Sequence, residues 1–185
     1  MVEFHTVNNF ISKELCDYLI GYYESNYDIV LQNPEEVPQA DNFRYRVMWY
    51  RTIKSAETKT IMDWISDRTY EVLFEKFGVD VRRDSLQIVR WLEGEEMGLH
   101  ADNAFWPSAK PNFTPHRTHS SILFLNDNYS GGNFYFEKYG EVKPESGKLL
   151  VFPADIDYAH GVTKVLKGKR YTIASWYTND KKFFY

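Results

Sequence analysis

Gly78 separates two textures in this chain, and that boundary constrains the fold more than any single motif. Before it, apolar residues recur at helical spacing; after it, they come in short runs broken by turn residues. The segment FISKELCDYLIGYYES (10–25) spaces Leu15, Leu19, Ile20 and Tyr23 along a helix, with Ser12 suited to cap its first free N–H groups. A longer helix is predicted from about Lys54 to Phe77, with Ile61, Trp64, Ile65, Val72 and Leu73 on one side and Gly78 ending it. Between the two, Pro34 and Pro38 break LQNPEEVPQADN into a loop, and FRYRVMWY (43–50) reads as a strand. Downstream, strands are predicted at about 85–93, 97–102, 118–126, 132–138, 148–153, 159–164 and 169–177. Gly94, SGGN (130–133), PESG (144–147) and KGK (167–169) supply the turns between them. Helices first and many short strands after imply an α+β fold. The architecture expected is a double-stranded β-helix, or jelly roll, with the N-terminal helices packed on the outer face of its major sheet.

A length of 185 residues suits one domain, 1–185, with helical support at about 1–78 and a jelly-roll core at about 84–177. Its 43% hydrophobic and 17% aromatic residues are enough to fill a core. Twenty-six acids against 22 bases give a net charge of −4, so nothing in the balance points to nucleic acid. Lys164 to Arg170, the densest basic stretch, reads as a short hairpin turn. No apolar run is long enough to cross a membrane, and MVEFHTVNNFISKE lacks the basic and apolar regions of a signal peptide. A lone Cys16 excludes an internal disulfide and fits a reducing, cytoplasmic setting. The oligomeric state is left open.

LHADNAF (99–105) carries the chemistry. On an extended strand, His100 and Asp102 fall on one face, because side chains alternate with period two. An imidazole and a carboxylate on one face make two-thirds of a facial metal site, although an isolated H-x-D is more often a hydrogen-bonded surface pair. Of the remaining histidines, His5 precedes the first helix and reads as solvated, while His116 sits in the proline-rich loop PSAKPNFTPHR and reads as exposed. His119 lies on a strand whose other face carries Ser120, Ile122 and Phe124, so it points away if that face lines a pocket. His160 opens the penultimate predicted strand as HGV, ten residues before Arg170.

HAD (100–102), HGV (160–162) and GKRYTIASWY (168–177) together resemble the Fe(II)- and 2-oxoglutarate-dependent oxygenases, most closely the prolyl 4-hydroxylase-like branch that includes the hypoxia-sensing prolyl hydroxylases. LQIVRWLEGEEMGLHAD (86–102), SSILFLND (120–127), GGNFYF (131–136) and GKLLVFP (147–153) match in the family's order, so the resemblance covers roughly residues 84–177. It implies Fe(II) on His100, Asp102 and His160, with three octahedral positions left for 2-oxoglutarate and O2. It places the distal carboxylate of 2-oxoglutarate on Arg170. A guanidinium among pocket-facing apolar groups needs such a partner, and planar Arg can hold it bidentately. Thr172, Ala174 and Trp176 share Arg170's face; Tyr171, Ile173 and Tyr177 share the opposite one and are expected against the second helix. Thr172 offers a hydroxyl, and Trp176 matches a family tryptophan near the pocket while serving equally as a core aromatic.

The chain also departs from that family. Trp91 and Met97 stand where tyrosines are common, and Phe124 takes the place of a tyrosine that binds the distal carboxylate. The function implied is oxidative decarboxylation of 2-oxoglutarate to succinate coupled to hydroxylation of a C–H bond, with ascorbate as reductant. The leading substrate is a prolyl residue of a protein or peptide. The loop 103–117 is expected either to present Phe105, Trp106 and Phe113 to that substrate or to pack on itself. A hydroxylase of a free amino acid or other small molecule, and a non-enzymatic cupin-like binding protein, are the alternatives.

Overall fold

Two antiparallel sheets face one another in the computed structural model, which describes residues 4–31 and 43–185. In chain order the elements are β1 (His5–Val7), α1 (Lys13–Ser25), α2 (Tyr27–Leu31), β2 (Val47–Trp49), α3 (Ala56–Phe77), β3 (Arg82–Trp91), β4 (Met97–His100), β5 (Ala104–Phe105), β6 (Lys110–Pro111), β7 (His119–Phe124), β8 (Ser130–Gly131), β9 (Phe134–Phe136), β10 (Gly140–Val142), β11 (Leu149–Pro153), β12 (His160–Val162), β13 (Val165–Lys167) and β14 (Arg170–Thr178). The loop predicted around Pro34 and Pro38 lies outside the described residues.

Local chemistry sets the helix ends. Ser12 Oγ accepts from the Leu15 N–H at 3.3 Å, and Ser55 Oγ from the Thr58 N–H at 3.1 Å. Gly78 closes α3 in the left-handed region, φ 67°, and its N–H reaches the Phe74 carbonyl at 2.9 Å. The buried stripe of α3 runs through Thr58, Met62, Ile65, Ser66, Thr69 and Leu73. Trp64, expected in that stripe, is 43% exposed, with the Arg68 guanidinium over its ring. Ile61, Ile65, Val72 and Leu73 pack in the core as expected, and hydroxyl residues complete the stripe: Thr69 is buried because its Oγ1 donates to the Ile65 carbonyl at 2.8 Å.

The larger sheet has the order β1-β11-β7-β14-β3-β2, and the smaller β10-β9-β12-β4. Period-two alternation divides the larger sheet's faces. Leu86, Ile88, Leu123, Val151, Ile173 and Tyr177 pack with Cys16, Leu19, Met62 and Leu73 of the helices. Val89, Trp91, Phe124, Leu150, Phe152 and Ala174 pack with Phe134, Phe136 and Val162 of the smaller sheet. The helices therefore cover the outer face and leave the inter-sheet space for a site.

Several expectations need correction. Residues 43–50 hold a strand only over 47–49, between single turns of 3-10 helix. His5 is part-buried in β1, opposite Val151, rather than simply solvated, and burial lowers its pKa. Tyr171 packs on the first helix, not the second: its ring meets Tyr23 edge-on at 5.9 Å and its hydroxyl donates to Glu24. Tyr177 does reach α3, donating to the Ser66 carbonyl.

Candidate active site

Antiparallel pairing places His160, the first residue of β12, directly opposite His100, the last of β4. The two rings lie 4.3 Å apart. Asp102 joins them by a different route from the one expected. Strand β4 ends at His100, and the backbone then bends, with the N–H groups of Asp102 and Asn103 both donating to the Ala154 carbonyl. That double anchor turns the carboxylate toward the imidazoles. Asp102 Oδ1 lies 3.9 Å from His100 Nε2, Oδ2 lies 3.8 Å from His160 Nε2, and the three ligand atoms fall within 4.8 Å of one another.

Hydrogen bonding prepares each group as a ligand. His100 Nδ1 is 3.1 Å from the Gly98 carbonyl, and His160 Nδ1 is 2.9 Å from that of Tyr158. A carbonyl only accepts, so each Nδ1 carries the proton and each Nε2 keeps its lone pair for a metal. Ser120 Oγ donates to Asp102 Oδ2 at 2.6 Å. Burial would push the Asp102 pKa up, but His160, His100 and this hydrogen bond outweigh it and hold it below the usual carboxylate value. Burial, with His100 alongside, lowers His160 to about 4. At neutral pH the trio is thus a carboxylate with a buried neutral imidazole beside it. Gly161 has a steric reason to follow His160: a Cβ there would lie 2.7 Å from the Tyr135 hydroxyl and 2.8 Å from the Met97 carbonyl.

The same cavity, of about 630 Å³, is lined by His100, Asp102 and His160 and by Arg170, Thr172, Trp91 and Trp176. Arg170 is 2% exposed, its Nε has no hydrogen-bond partner, and none of the described acidic residues pairs with it. Thr172 Oγ1 lies 3.5 Å from its Nη1, and burial lowers its pKa. Trp91 flanks the guanidinium from the cavity wall. Phe124 sits behind it, fully buried, 5.7 Å from guanidinium to ring centre, and is not on the wall.

His119 faces away, against Phe77, and burial lowers its pKa to about 4. His116 is not exposed as expected: its Nε2 lies 3.1 Å from Asp84, and its ring stacks on Phe183 at 3.7 Å. Both partners are distant in sequence, so the loop's composition gave no sign of them. Loop 103–117 packs partly on itself and partly along the cavity. Phe105 and Phe113 pack edge-to-face in a small hairpin, while Asn112, Phe113 and Thr114 line the cavity. Sequence reasoning missed Arg117, whose guanidinium lies 4.2 Å from the Trp176 ring centre, and Arg46, 4.9 Å from that of Trp91. It also missed Trp49 and Gln87, paired across β2 and β3 on the cavity wall.

The family model for the 2OG-Fe(II) oxygenase superfamily matches residues 86–178, half of the chain. This protein belongs to the 2OG-Fe(II) oxygenase superfamily. Among its relatives, prolyl 3-hydroxylase 1 of Rattus norvegicus is 36% identical over 90 residues, 45% of this chain. The aligned part is 12% of that protein, so the chain spans only a small fraction of this relative's length. Among solved structures, the viral collagen prolyl hydroxylase of Paramecium Bursaria Chlorella virus-1, in complex with 2OG, superposes with a TM-score of 0.72 at 19% identity, covering 97% of each chain. A prolyl hydroxylase from Trichoplax adhaerens, solved with a hypoxia inducible factor peptide fragment, gives 0.71 at 19% identity, covering 97% of this chain and 85% of that one. At these identities the structural likeness establishes the shared fold. No helix among the described residues is long and apolar enough to cross a membrane.

Proposed function

We propose that this chain hydroxylates a prolyl residue of a protein or peptide, using Fe(II) held by His100, Asp102 and His160 and 2-oxoglutarate anchored on Arg170. The observation that carries this reading is the pairing of two unsatisfied sites in one cavity: a His-Asp-His cluster with its Nε2 lone pairs free, and a buried guanidinium without an acid. The donor set fits an octahedral divalent ion, and the orphaned Arg170 fits the distal carboxylate of a dicarboxylic cosubstrate. Bound there, iron and 2-oxoglutarate would supply the oxidising power for hydroxylating a C–H bond with dioxygen, leaving succinate and carbon dioxide.

The chain's own residues orient and exclude. The Gly98 and Tyr158 carbonyls fix the imidazole tautomers, and Ser120 fixes the carboxylate. Trp91, Val89 and Ala174 keep water from the cosubstrate end. Thr172 adds a hydroxyl beside Arg170, and Trp176 walls the substrate side. We read 1–185 as one oxygenase domain of the jelly-roll type, working in a reducing cytoplasm as its single buried Cys16 suggests. Ascorbate as reductant follows the family resemblance.

Support for a polypeptide substrate comes from the prolyl hydroxylase relatives and from Phe113, which lines the cavity while 75% exposed, as a surface for an incoming chain would be. The test is succinate formation from 2-oxoglutarate in the presence of proline-containing peptides or of free proline, with mass spectrometry of the product. Peptides are expected to gain one oxygen atom. Turnover of the free amino acid alone would replace this reading with that of a small-molecule hydroxylase.

A further inference from the structure

A second polar group is buried beside Arg170, and nothing in the motifs marks it. Tyr129 lies in the turn between β7 and β8, and its buried hydroxyl lies against the Arg170 guanidinium with no acceptor for its own proton. Gly132 fixes where Tyr129 stands relative to Arg170. A Cβ built on Gly132 would meet Arg170 Cδ and Tyr129 Cε2, each at 3.2 Å, and Val165 Cγ2 at 3.0 Å. The two side chains therefore flank one point, and a side chain at Gly132 would crowd both. Gly132 also has φ +61°, which a side chain would strain.

Two groups that lack an acceptor meet here: the Arg170 guanidinium, whose Nε has no partner, and the Tyr129 phenol, which lies against it. A guanidinium has donors and no acceptor. The phenol is held neutral, because burial pushes its pKa up against the opposing pull of Arg170, so it too has a proton to donate. Buried donors without an acceptor are costly, and a carboxylate, with two oxygens and several lone pairs, is the group that satisfies a guanidinium and a phenol together.

Resting on the cosubstrate reading above, we propose that Tyr129 is a specificity residue for 2-oxoglutarate, donating its phenolic O–H to the distal carboxylate that Arg170 holds. The turn thereby supplies the hydroxyl that strand β7 lacks at Phe124. Selection for a dicarboxylic 2-oxoacid over one with a plain alkyl end then comes from two residues on separate elements.

The experiment is anaerobic calorimetry on the full chain loaded with Mn(II), titrating 2-oxoglutarate and, separately, 2-oxopentanoate, which has the same carbon chain without the distal carboxylate. Tyr129→Phe removes one oxygen atom and keeps the ring, so the fold persists; melting without ligand checks this. The variant is expected to bind 2-oxoglutarate about tenfold more weakly, the size of one hydrogen bond to a charged group, and 2-oxopentanoate with unchanged affinity. Equal weakening toward both ligands would make Tyr129 a structural residue and overturn the proposal, as would unchanged binding of 2-oxoglutarate. If the wild-type chain binds no 2-oxoglutarate, the cosubstrate reading falls and this one with it; wild-type binding with an unaffected variant defeats the Tyr129 role alone.

Discussion

Removing the Ser120 hydroxyl tests whether the metal site is pre-organised. Ser120 is 1% exposed and Asp102 7%, and the 2.6 Å bond between them pins Oδ2 while leaving Oδ1 toward His100. In Ser120→Ala the carboxylate loses the bond that pins Oδ2 and turns freely between imidazoles 3.8 and 3.9 Å away on either side. A metal must then restore the orientation that the hydroxyl had fixed. A hydrogen bond to a charged group contributes about 1.5–3 kcal/mol, and losing a ligand's outer partner typically costs 10–100-fold in metal affinity. The two scales agree, since each 1.4 kcal/mol is about tenfold. Anaerobic titration with Mn(II) should therefore show affinity reduced by about 10–100-fold, with Ser120→Thr recovering most of it. Wild-type affinity in Ser120→Ala would refute the idea that this bond prepares the carboxylate.

Gly161→Ala should destabilise the fold by about 1–3 kcal/mol through overpacking and weaken metal binding too, because the clashing Met97 carbonyl belongs to the strand that carries His100; thermal melting and the same titration check both. His119, depressed to about 4 from 6.5, binds fewer protons folded than unfolded between those values. Its contribution, up to about 3 kcal/mol, is therefore fully present above pH 6.5 and is lost as pH falls toward 4; the stability difference between wild type and His119→Gln should shrink over that window in urea melts. His116→Ala should keep full metal affinity, since Asp84 and Phe183 hold that ring away from the cluster, while lowering the melting temperature.

Some of this was legible in the sequence because the physics is local. Ser12, Ser55 and Gly78 act within one helical turn, and the alternation that separates Arg170 and Thr172 from Tyr171 and Ile173 needs only an extended backbone. The metal cluster was legible through motif order, although Asp102 reaches it by a bend anchored on Ala154 rather than by strand parity. What stayed hidden depends on distant contacts. His116 is buried by residues far along the chain, β1 forms only because β11 offers it an edge, and Arg46 and Arg117 reach the cavity only once the sheets face each other. On α3 only Trp64 departs from the expected stripe, and Thr58 and Thr69 are buried with their hydroxyls hydrogen-bonded, which a hydrophobicity pattern cannot register.

The central claim is that His100, Asp102 and His160 hold the iron that drives 2-oxoglutarate turnover. The most direct measurement is succinate formed from 2-oxoglutarate, in air and with freshly added Fe(II), by wild type and by Asp102→Ala. Wild type should form succinate, and Asp102→Ala should form none while melting as a folded protein. Full turnover in Asp102→Ala would contradict the account.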